Sequence, residues 1–329
     1  LHVSMGNACF SPPWYYHHGS LPEKPQIEAL KYIRVNTSLP IIAAGRMGRK
    51  EKIEQLLKDD LADFIALGRP LIADSSLIEK WRQQNEESAN LCGYCLQGCL
   101  HRVKNGQSIG CNINPEIGLP KLDKSASPQK VVVVGGGPAG LSAARFLIER
   151  GHRVSLVEKK EHLGGQFDLA WQVPGKKALK DGMDFLIKFV KDNAETLVLG
   201  KKFNTDILNW LKPDLLVCAT GSTQNIPQIE GLQTQNVMTA VEFFDQKEEL
   251  IGKRALVIGA GRTGLEVTEL LGSEGIEVVA TKRTDTLGND MEMITKKLIH
   301  KRLGEMANVT LMPNTTVKEF TDSEVIIER

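Results

Sequence analysis

The chain has 329 residues, 41% hydrophobic and 25% charged, with a formal net charge of +1. This is the composition of a globular protein long enough for two or more domains, without the charge excess that would bring nucleic acid or an anionic membrane surface as partner. No apolar run approaches the ~20 residues that span a bilayer, the N-terminal LHVSMGNACF is no signal peptide, and six cysteines, four of them crowded together, do not make a secreted disulfide framework; the expected location is cytoplasmic.

Three segments, LHVSMG (1–6), PIIAAGRM (40–47) and FIALGRPL (64–71), read as short apolar strands, with a helical stretch around Arg49 to Lys58 between the last two. Repeated βα units of this kind predict part of a (β/α)8 barrel. Two consecutive strands end in Gly-Arg, at Gly45-Arg46 and Gly68-Arg69. Loops after the last strands of such barrels often bind phosphate through backbone N–H groups, and an adjacent arginine adds charge. These four residues are therefore a candidate phosphate site, against two unrelated Gly-Arg turns. The loop after the first strand, NACFSPPWYYHHGSLPEKP (Asn7 to Pro25), lies on the face where barrel loops shape active sites. In it, Tyr15, Tyr16, His17 and His18 are candidates to donate protons or contact substrate; the alternative is a proline-pinned surface loop with aromatic packing. Cys9, in the same loop, reads as incidental.

LCGYCLQGCLHRVKNGQSIGC follows, with Cys92, Cys95, Cys99 and Cys111. Glycines at 93, 98, 106 and 110 allow tight wrapping around a compact object. Zinc ribbons usually pair two CxxC knuckles, and one is present. Closely spaced thiolates plus a distant fourth suit a cubane [4Fe–4S] cluster, which needs four cysteine ligands. The spacing favours the cluster over zinc, with free thiols third.

KVVVVGGGPAGLSAARFLIERGHRVSLVEKK, Lys130 to Lys160, is a complete dinucleotide-binding βαβ unit: four valines for a buried strand, Gly135, Gly137 and Gly140 in GxGxxG spacing, a helix ending near Gly151, and a second strand from Arg153 to Val157 closed by Glu158. Gly135 permits the tight turn, Gly137 the approach of a pyrophosphate, and Gly140 close helix–strand packing. The helix N-terminus faces the phosphates and Glu158 the ribose hydroxyls. The second unit, ALVIGAGRTGLEVTELLGSEGIEVVATKR, Ala255 to Arg283, repeats the pattern at Gly259, Gly261 and Gly264. The two align without a gap, so that Glu158 corresponds to Lys282, with Arg283 next. A carboxylate here favours a free 2′-hydroxyl and a cation a 2′-phosphate. The first site reads as FAD or NAD and the second leans to NADPH over NADH, against a solvated basic loop. Two such sites suggest a flavin and a nicotinamide exchanging hydride.

DLLVCATGS, Asp214 to Ser222, looks like the crossing segment of the two-dinucleotide-binding flavoproteins, with Thr220 and Gly221 at the FAD and Cys218 expected in the core. HLGGQF, His162 to Phe167, matches the same proteins' flavin-contacting turn. No redox CxxC or CxxxxC lies in either unit, which argues against a disulfide reductase.

In that order, AAGRM, ALGRPLIAD, the four cysteines with Asn114-Pro115 behind them, GGGPAG, GGQF, ATG and GAGRTG resemble the 2,4-dienoyl-CoA reductase and 2-enoate reductase family, the iron–sulfur flavoenzymes related to old yellow enzyme and trimethylamine dehydrogenase. The resemblance covers essentially the whole chain. It implies that Cys92, Cys95, Cys99 and Cys111 hold a 4Fe–4S cluster; that Gly45, Arg46, Gly68 and Arg69 hold the FMN phosphate; that Gly135, Gly137, Gly140, Glu158, Gly165, Gln166, Thr220 and Gly221 hold FAD; and that Gly259, Gly261, Gly264, Lys282 and Arg283 hold NADPH. The implied activity is electron flow from NAD(P)H through FAD, the cluster and FMN to an activated C=C bond. An amine dehydrogenase of the trimethylamine dehydrogenase type and a non-enzymatic nucleotide-binding module are the rivals; GAGRTG with its basic partner argues against the first and the four thiols against the second.

The expected architecture is α/β: the C-terminal part of a TIM barrel (strands 6–8, residues 1–86), an iron–sulfur segment (87–127), and two incomplete Rossmann-like domains, for FAD (128–235) and NAD(P) (236–329). A whole barrel takes ~250 residues, and 91 precede Cys92. The expectation is an internal fragment of a protein roughly twice as long, inactive alone, with the family's acid tyrosine outside it and an oligomer possible.

Overall fold

The computed structural model describes residues 1–120, 122–246 and 254–329. Its three N-terminal strands, β1 (His2–Val3), β2 (Ile42–Ala44) and β3 (Phe64–Ala66), form one parallel sheet in the order β1-β2-β3. After β1 come α1 (Pro12–Tyr15) and the crossover α2 (Lys24–Val35), and after β2 the crossover α3 (Lys50–Lys58). Pro25 opens α2 where its missing N–H costs nothing. Leu30 of α2 and Leu56 of α3 pack with Ile41, Ala43 and Met47 into one core. The strands are shorter than their apolar segments for a backbone reason. Gly45 (φ 99°) and Arg46 (φ 51°) leave the β region directly after β2, and Gly68 already caps α4 (Arg69–Ala73).

α5 (Leu77–Arg82) leads into the cysteine segment, which contains a π-type turn over Gln97–His101 and α6 (Arg102–Lys104). The first glycine-rich unit then builds β4 (Lys130–Val134), α7 (Pro138–Glu149), β5 (Arg153–Val157), α8 (Phe167–Ala170), α9 (Lys180–Asn193), β6 (Thr196–Val198), α10 (Thr205–Leu211) and β7 (Leu215–Cys218). The four strands are parallel in the order β6-β5-β4-β7. Both faces of β4 are covered, which is why it reads as an unbroken apolar run. Val131 and Val133 pack with Leu141, Ala144, Met183 and Val190, whereas Val132 and Val134 pack with Val198 and Ile207. Cys218 departs from expectation: it is exposed. Among the described residues β7 pairs with β4 alone, and Leu215 and Leu216 are exposed with Cys218, so an apolar strand here is not a covered one.

These elements form one compact unit, Leu1–Ser222; Thr223–Arg329 form a second. In the second, α11 (Ala240–Gln246) precedes β8 (Arg254–Ile258), α12 (Arg262–Ser273), β9 (Glu277–Thr281), α13 (Met293–Gly304) and β10 (Val309–Met312). The strands are parallel in the order β10-β9-β8. Ala260, Leu265, Ala280, Ile299 and Leu303 form the core, and Arg302 of α13 pairs with the buried Glu269 of α12. A hairpin, β11 (Thr316–Phe320) and β12 (Val325–Glu328), follows. The fold is thus mixed α/β with two Rossmann-type sheets. Among the described residues no helix is long and apolar enough to cross a membrane.

Candidate cofactor sites

Strand order reverses between β4 and β7, the switch point where open α/β sheets bind ligands. The expected flavin residues converge there. A side chain at Gly135 would meet the carbonyl oxygen of Ala219 at 2.2 Å, and one at Gly140 the carbonyl oxygen of Gly135 at 1.8 Å. Thus the loop after β4, the first turn of α7 and Ala219-Thr220-Gly221 after β7 touch backbone to backbone. The Gly164-Gly165 turn joins them, since a side chain at Gly165 would lie 2.8 Å from Gly137 Cα. Gln166 and Thr220 are exposed beside these turns. Glu158 is buried at the end of β5; it accepts the Gly136 N–H at 2.6 Å and the Lys160 N–H at 2.9 Å. Its carboxylate therefore braces the glycine turn, with lone pairs left for a ribose hydroxyl.

The second turn has the same construction: a side chain at Gly264 would meet the Gly259 carbonyl oxygen at 2.0 Å. Lys282 is half-buried, and its Nζ comes within 3.7 Å of where a Gly261 side chain would begin, whereas Arg283 is exposed. The first helical N–H, of Arg262, is donated to Asp290 at 3.1 Å. A lysine ammonium over a dinucleotide turn is suited to phosphate.

On the barrel arc the four expected phosphate residues are joined by two that the sequence did not reveal, His17 in this role and Lys52. The His17 ring lies against Gly45, whose side chain would fall 2.2 Å from Nδ1. Burial first, and then Arg69, Arg46 and Lys52, push the His17 imidazole down to about 4, so it is neutral at pH 7. Arg46 and Lys52 both pair with Glu23, at 3.1 and 3.2 Å. Burial lowers both of their pKa values. Arg69 donates only to the His17 carbonyl, at 3.3 Å from each Nη, and among the described residues it has no carboxylate partner. Arg46 Nε is buried without a hydrogen bond. Gly68 faces open space. Surplus cationic donors around open backbone fit a phosphate group. The remaining loop candidates diverge. Tyr15 is exposed and meets Tyr16 edge-on at 5.0 Å; Tyr16 lies 5.8 Å from Lys104; His18 is buried with its Nδ1 2.8 Å from Ser20 Oγ.

The four cysteines are gathered in one place. Each of Cys92, Cys95 and Cys99 raises or has its pKa raised by the others and by Cys111, and burial, the dominant cause, pushes Cys92 up to about 11 and Cys95 up to about 12. Backbone N–H groups point at the sulfurs: Tyr94 to Cys92 and Ile113 to Cys111, both at 3.4 Å, and Gln97 to Cys95. Gly98 is pressed on Cys111, whose Cα would lie 2.6 Å from a side chain there. Among the described residues no three His, Cys, Asp or Glu side chains converge as one bound ion would require; a cubane would instead spread its ligands over four corners. Thiols collected in a glycine-wrapped pocket and receiving N–H donors fit such a cluster, whose iron would hold them as thiolates. The segment packs on both neighbours: Ala73 of α4 and Ala178 ahead of α9 share one cluster with Cys92, Tyr94 and Cys111. Asn114 donates to the Ala73 carbonyl at 2.9 Å, and Arg145 of α7 pairs with Glu116 at 2.9 Å.

Tyr94, which the sequence did not single out, is buried at the centre of this contact. Its phenol oxygen accepts the Gly48 N–H at 2.7 Å. A tyrosine between two cysteines carries no signal by itself; the role depends on what tertiary structure brings to it.

Comparison with known proteins identifies the family. The pyridine nucleotide-disulphide oxidoreductase family matches residues 129–328, more than half of the chain. NADH oxidase of Thermoanaerobacter brockii is 31% identical over 90% of this chain and 46% of its own length. Cinnamate reductase of Clostridium sporogenes is 32% identical over 87% of this chain and 43% of its own. The solved structure of 2-naphthoyl-CoA reductase superposes with a TM-score of 0.91 over 99% of this chain and 50% of that one, at 24% identity, which speaks to the fold. The chain belongs to the pyridine nucleotide-disulphide oxidoreductase family. Within that class it is a member of the 2,4-dienoyl-CoA reductase, old yellow enzyme-like group of flavoenzymes. It spans about half the length of the curated relatives it matches. Of its six cysteines only Cys218 lies within 129–328, so the disulphide chemistry in the family's name has no cysteine pair there.

Proposed function

We propose that the chain is the electron-entry and transfer part of an NAD(P)H-dependent iron–sulfur flavoenzyme that reduces activated C=C bonds in enoyl-CoA esters, 2-enoates or enones. The observation that carries this reading is the placement of the cysteine segment. It is packed against α4 of the barrel arc on one side and against Ala178, ahead of α9 in the first dinucleotide fold, on the other. That is where a carrier between two flavins belongs. The relatives support the reaction class through cinnamate reductase.

On this reading residues 1–86 belong to the FMN barrel, 87–127 to the cluster, 128–235 to the FAD fold and 236–329 to the NAD(P) fold. The chemistry the cofactors would supply is hydride acceptance from NAD(P)H at FAD, one-electron transfer at the cluster and hydride delivery from FMN to the β-carbon. The chain's own residues bind and orient. Gly135, Gly137, Gly140, Gly165 and Thr220 shape the FAD phosphate turn, Glu158 braces it, and Gln166 and Gly221 line it. Gly259, Gly261 and Gly264 shape the nicotinamide turn, with Lys282 and Arg283 for the 2′-phosphate. Gly45, Arg46, Gly68 and Arg69 take the FMN phosphate, and Cys92, Cys95, Cys99 and Cys111 take the cluster. His17, held neutral among cations, suits the phosphate site better than proton donation to substrate. Turnover is proposed for the full-length protein, since the chain spans about half the length of the curated relatives it matches.

The test is cofactor analysis of the full-length protein purified without oxygen. FAD, FMN and a [4Fe–4S] cluster are expected, with preference for NADPH. Zinc in place of iron would remove the relay, and absence of both flavin and iron would leave a nucleotide-binding module.

A further inference from the structure

Tyr94 sits where the barrel arc meets the cysteines. Three guanidiniums gather on its ring, Arg46 and Arg69 at 5.5 Å from the centroid and Arg49 at 5.9 Å. Three like charges would repel one another. The negative face of the ring offsets part of that repulsion and so fixes where the charges stand. The ring itself is pinned, because its hydroxyl takes the Gly48 N–H and its own N–H is donated to Cys92 Sγ at 3.4 Å. A side chain at Gly48 would lie 2.5 Å from the phenol oxygen.

The three charges differ in their compensation. Arg46 is paired with Glu23 and Arg49 with Asp181. Among the described residues Arg69 has no carboxylate partner and donates only to a carbonyl. The uncompensated charge is therefore the one that stands on the ring between the anion site and Cys92. Through Tyr94 it is joined to Cys92, whose Sγ accepts the Tyr94 N–H at 3.4 Å.

We propose that Tyr94 is a positioning residue that holds Arg69 between the two sites, so that an anion bound at Arg69 lowers the reduction potential of the cluster held by Cys92, Cys95, Cys99 and Cys111. The inference rests on the function proposed above. Its sign follows from charge. A nearby cation stabilises the reduced cluster, which carries one more electron, and raises the potential. A phosphate dianion on Arg69 cancels that stabilisation and lowers it. By linkage, the anion binds the oxidised form more tightly than the reduced form by the same factor.

The experiment uses the full-length protein with its cluster, flavin-free or reconstituted with FMN. An anaerobic titration with dithionite supplies the electron, and the resonance of the reduced cluster reports the midpoint. The wild type is expected to show a linkage of about tenfold, a midpoint about 59 mV lower with FMN bound. Arg69→Gln should bring the flavin-free midpoint down to about the FMN-bound value. Tyr94→Leu should at least halve the response, and Tyr94→Phe, which keeps the ring, should preserve most of it. If Tyr94→Leu does not fold, Arg69→Gln and Tyr94→Phe decide. A wild-type midpoint indifferent to FMN, or an undiminished response in Tyr94→Leu, would overturn the coupling and leave the relay standing. A wild type without any iron–sulfur resonance would overturn the functional reading itself.

Discussion

His17 has an imidazole held at about 4 instead of its ordinary 6.5, chiefly by burial and then by three neighbouring cations. Between those two values the unfolded chain binds more protons than the folded one. Stability is therefore fully present above pH 6.5 and is lost as pH falls toward 4. The whole shift corresponds to about 3 kcal/mol. Relative to His17→Asn, the wild type should lose about 2 kcal/mol between pH 7 and pH 5, read from urea midpoints. A constant difference between the two proteins would contradict the burial of an uncharged ring here. The cysteines make a second residue-scale prediction. Cys99→Ser should remove the proposed cluster's visible absorbance and most of the bound iron while FAD stays bound, because Cys99 lies in the Gln97–His101 turn of the cysteine segment and the glycine turn lies after β4. Loss of FAD alone, with iron intact, would contradict the assignment.

At the scale of elements, the two glycine turns depend on contacts too short for any side chain. Gly140→Ala forces a methyl group against the Gly135 carbonyl oxygen, a 1.8 Å approach. The cost of such overpacking is about 1–3 kcal/mol, and the loop after β4 must shift. The expected outcome is loss of FAD with NAD(P)H binding retained; Gly264→Ala, at 2.0 Å from the Gly259 carbonyl oxygen, should do the converse. Lys282→Ala should weaken NADPH by roughly tenfold, about 1.4 kcal/mol, and leave NADH nearly unchanged, measured as KM for each. Equal loss for both would place the Lys282 ammonium on the pyrophosphate instead. These turns are the part most legible in the sequence, because Gly140 and Gly264 each answer the carbonyl oxygen of a glycine five residues earlier. β7 shows the limit. Its apolar run predicts a strand correctly, yet Cys218 is exposed, since burial depends on what covers an edge strand and not on its own residues.

At the scale of the molecule, the order of motifs revealed the family, and the α/β fold with its Rossmann-type sheets followed from it. The wiring between parts was not legible. Lys52 is one lysine on an amphipathic helix until Glu23, Arg46 and His17 are brought to it. Tyr94 and Arg145 join the cysteine segment to its neighbours through contacts 46 and 29 residues apart in the chain. Sequence spacing carries no record of such contacts, because many side chains could fill the same positions until the fold is formed. The central claim is that electrons enter at the nicotinamide turn and leave at an activated C=C bond. The measurement that tests it most directly is anaerobic mixing of the full-length protein with NADPH, followed through flavin and cluster absorbance, and then addition of a 2,4-dienoyl-CoA or cinnamate. Rapid bleaching followed by reoxidation with either acceptor is the predicted result. Absence of bleaching with NADPH and NADH, together with bleaching by a secondary or tertiary amine, would contradict it and make the protein an amine dehydrogenase.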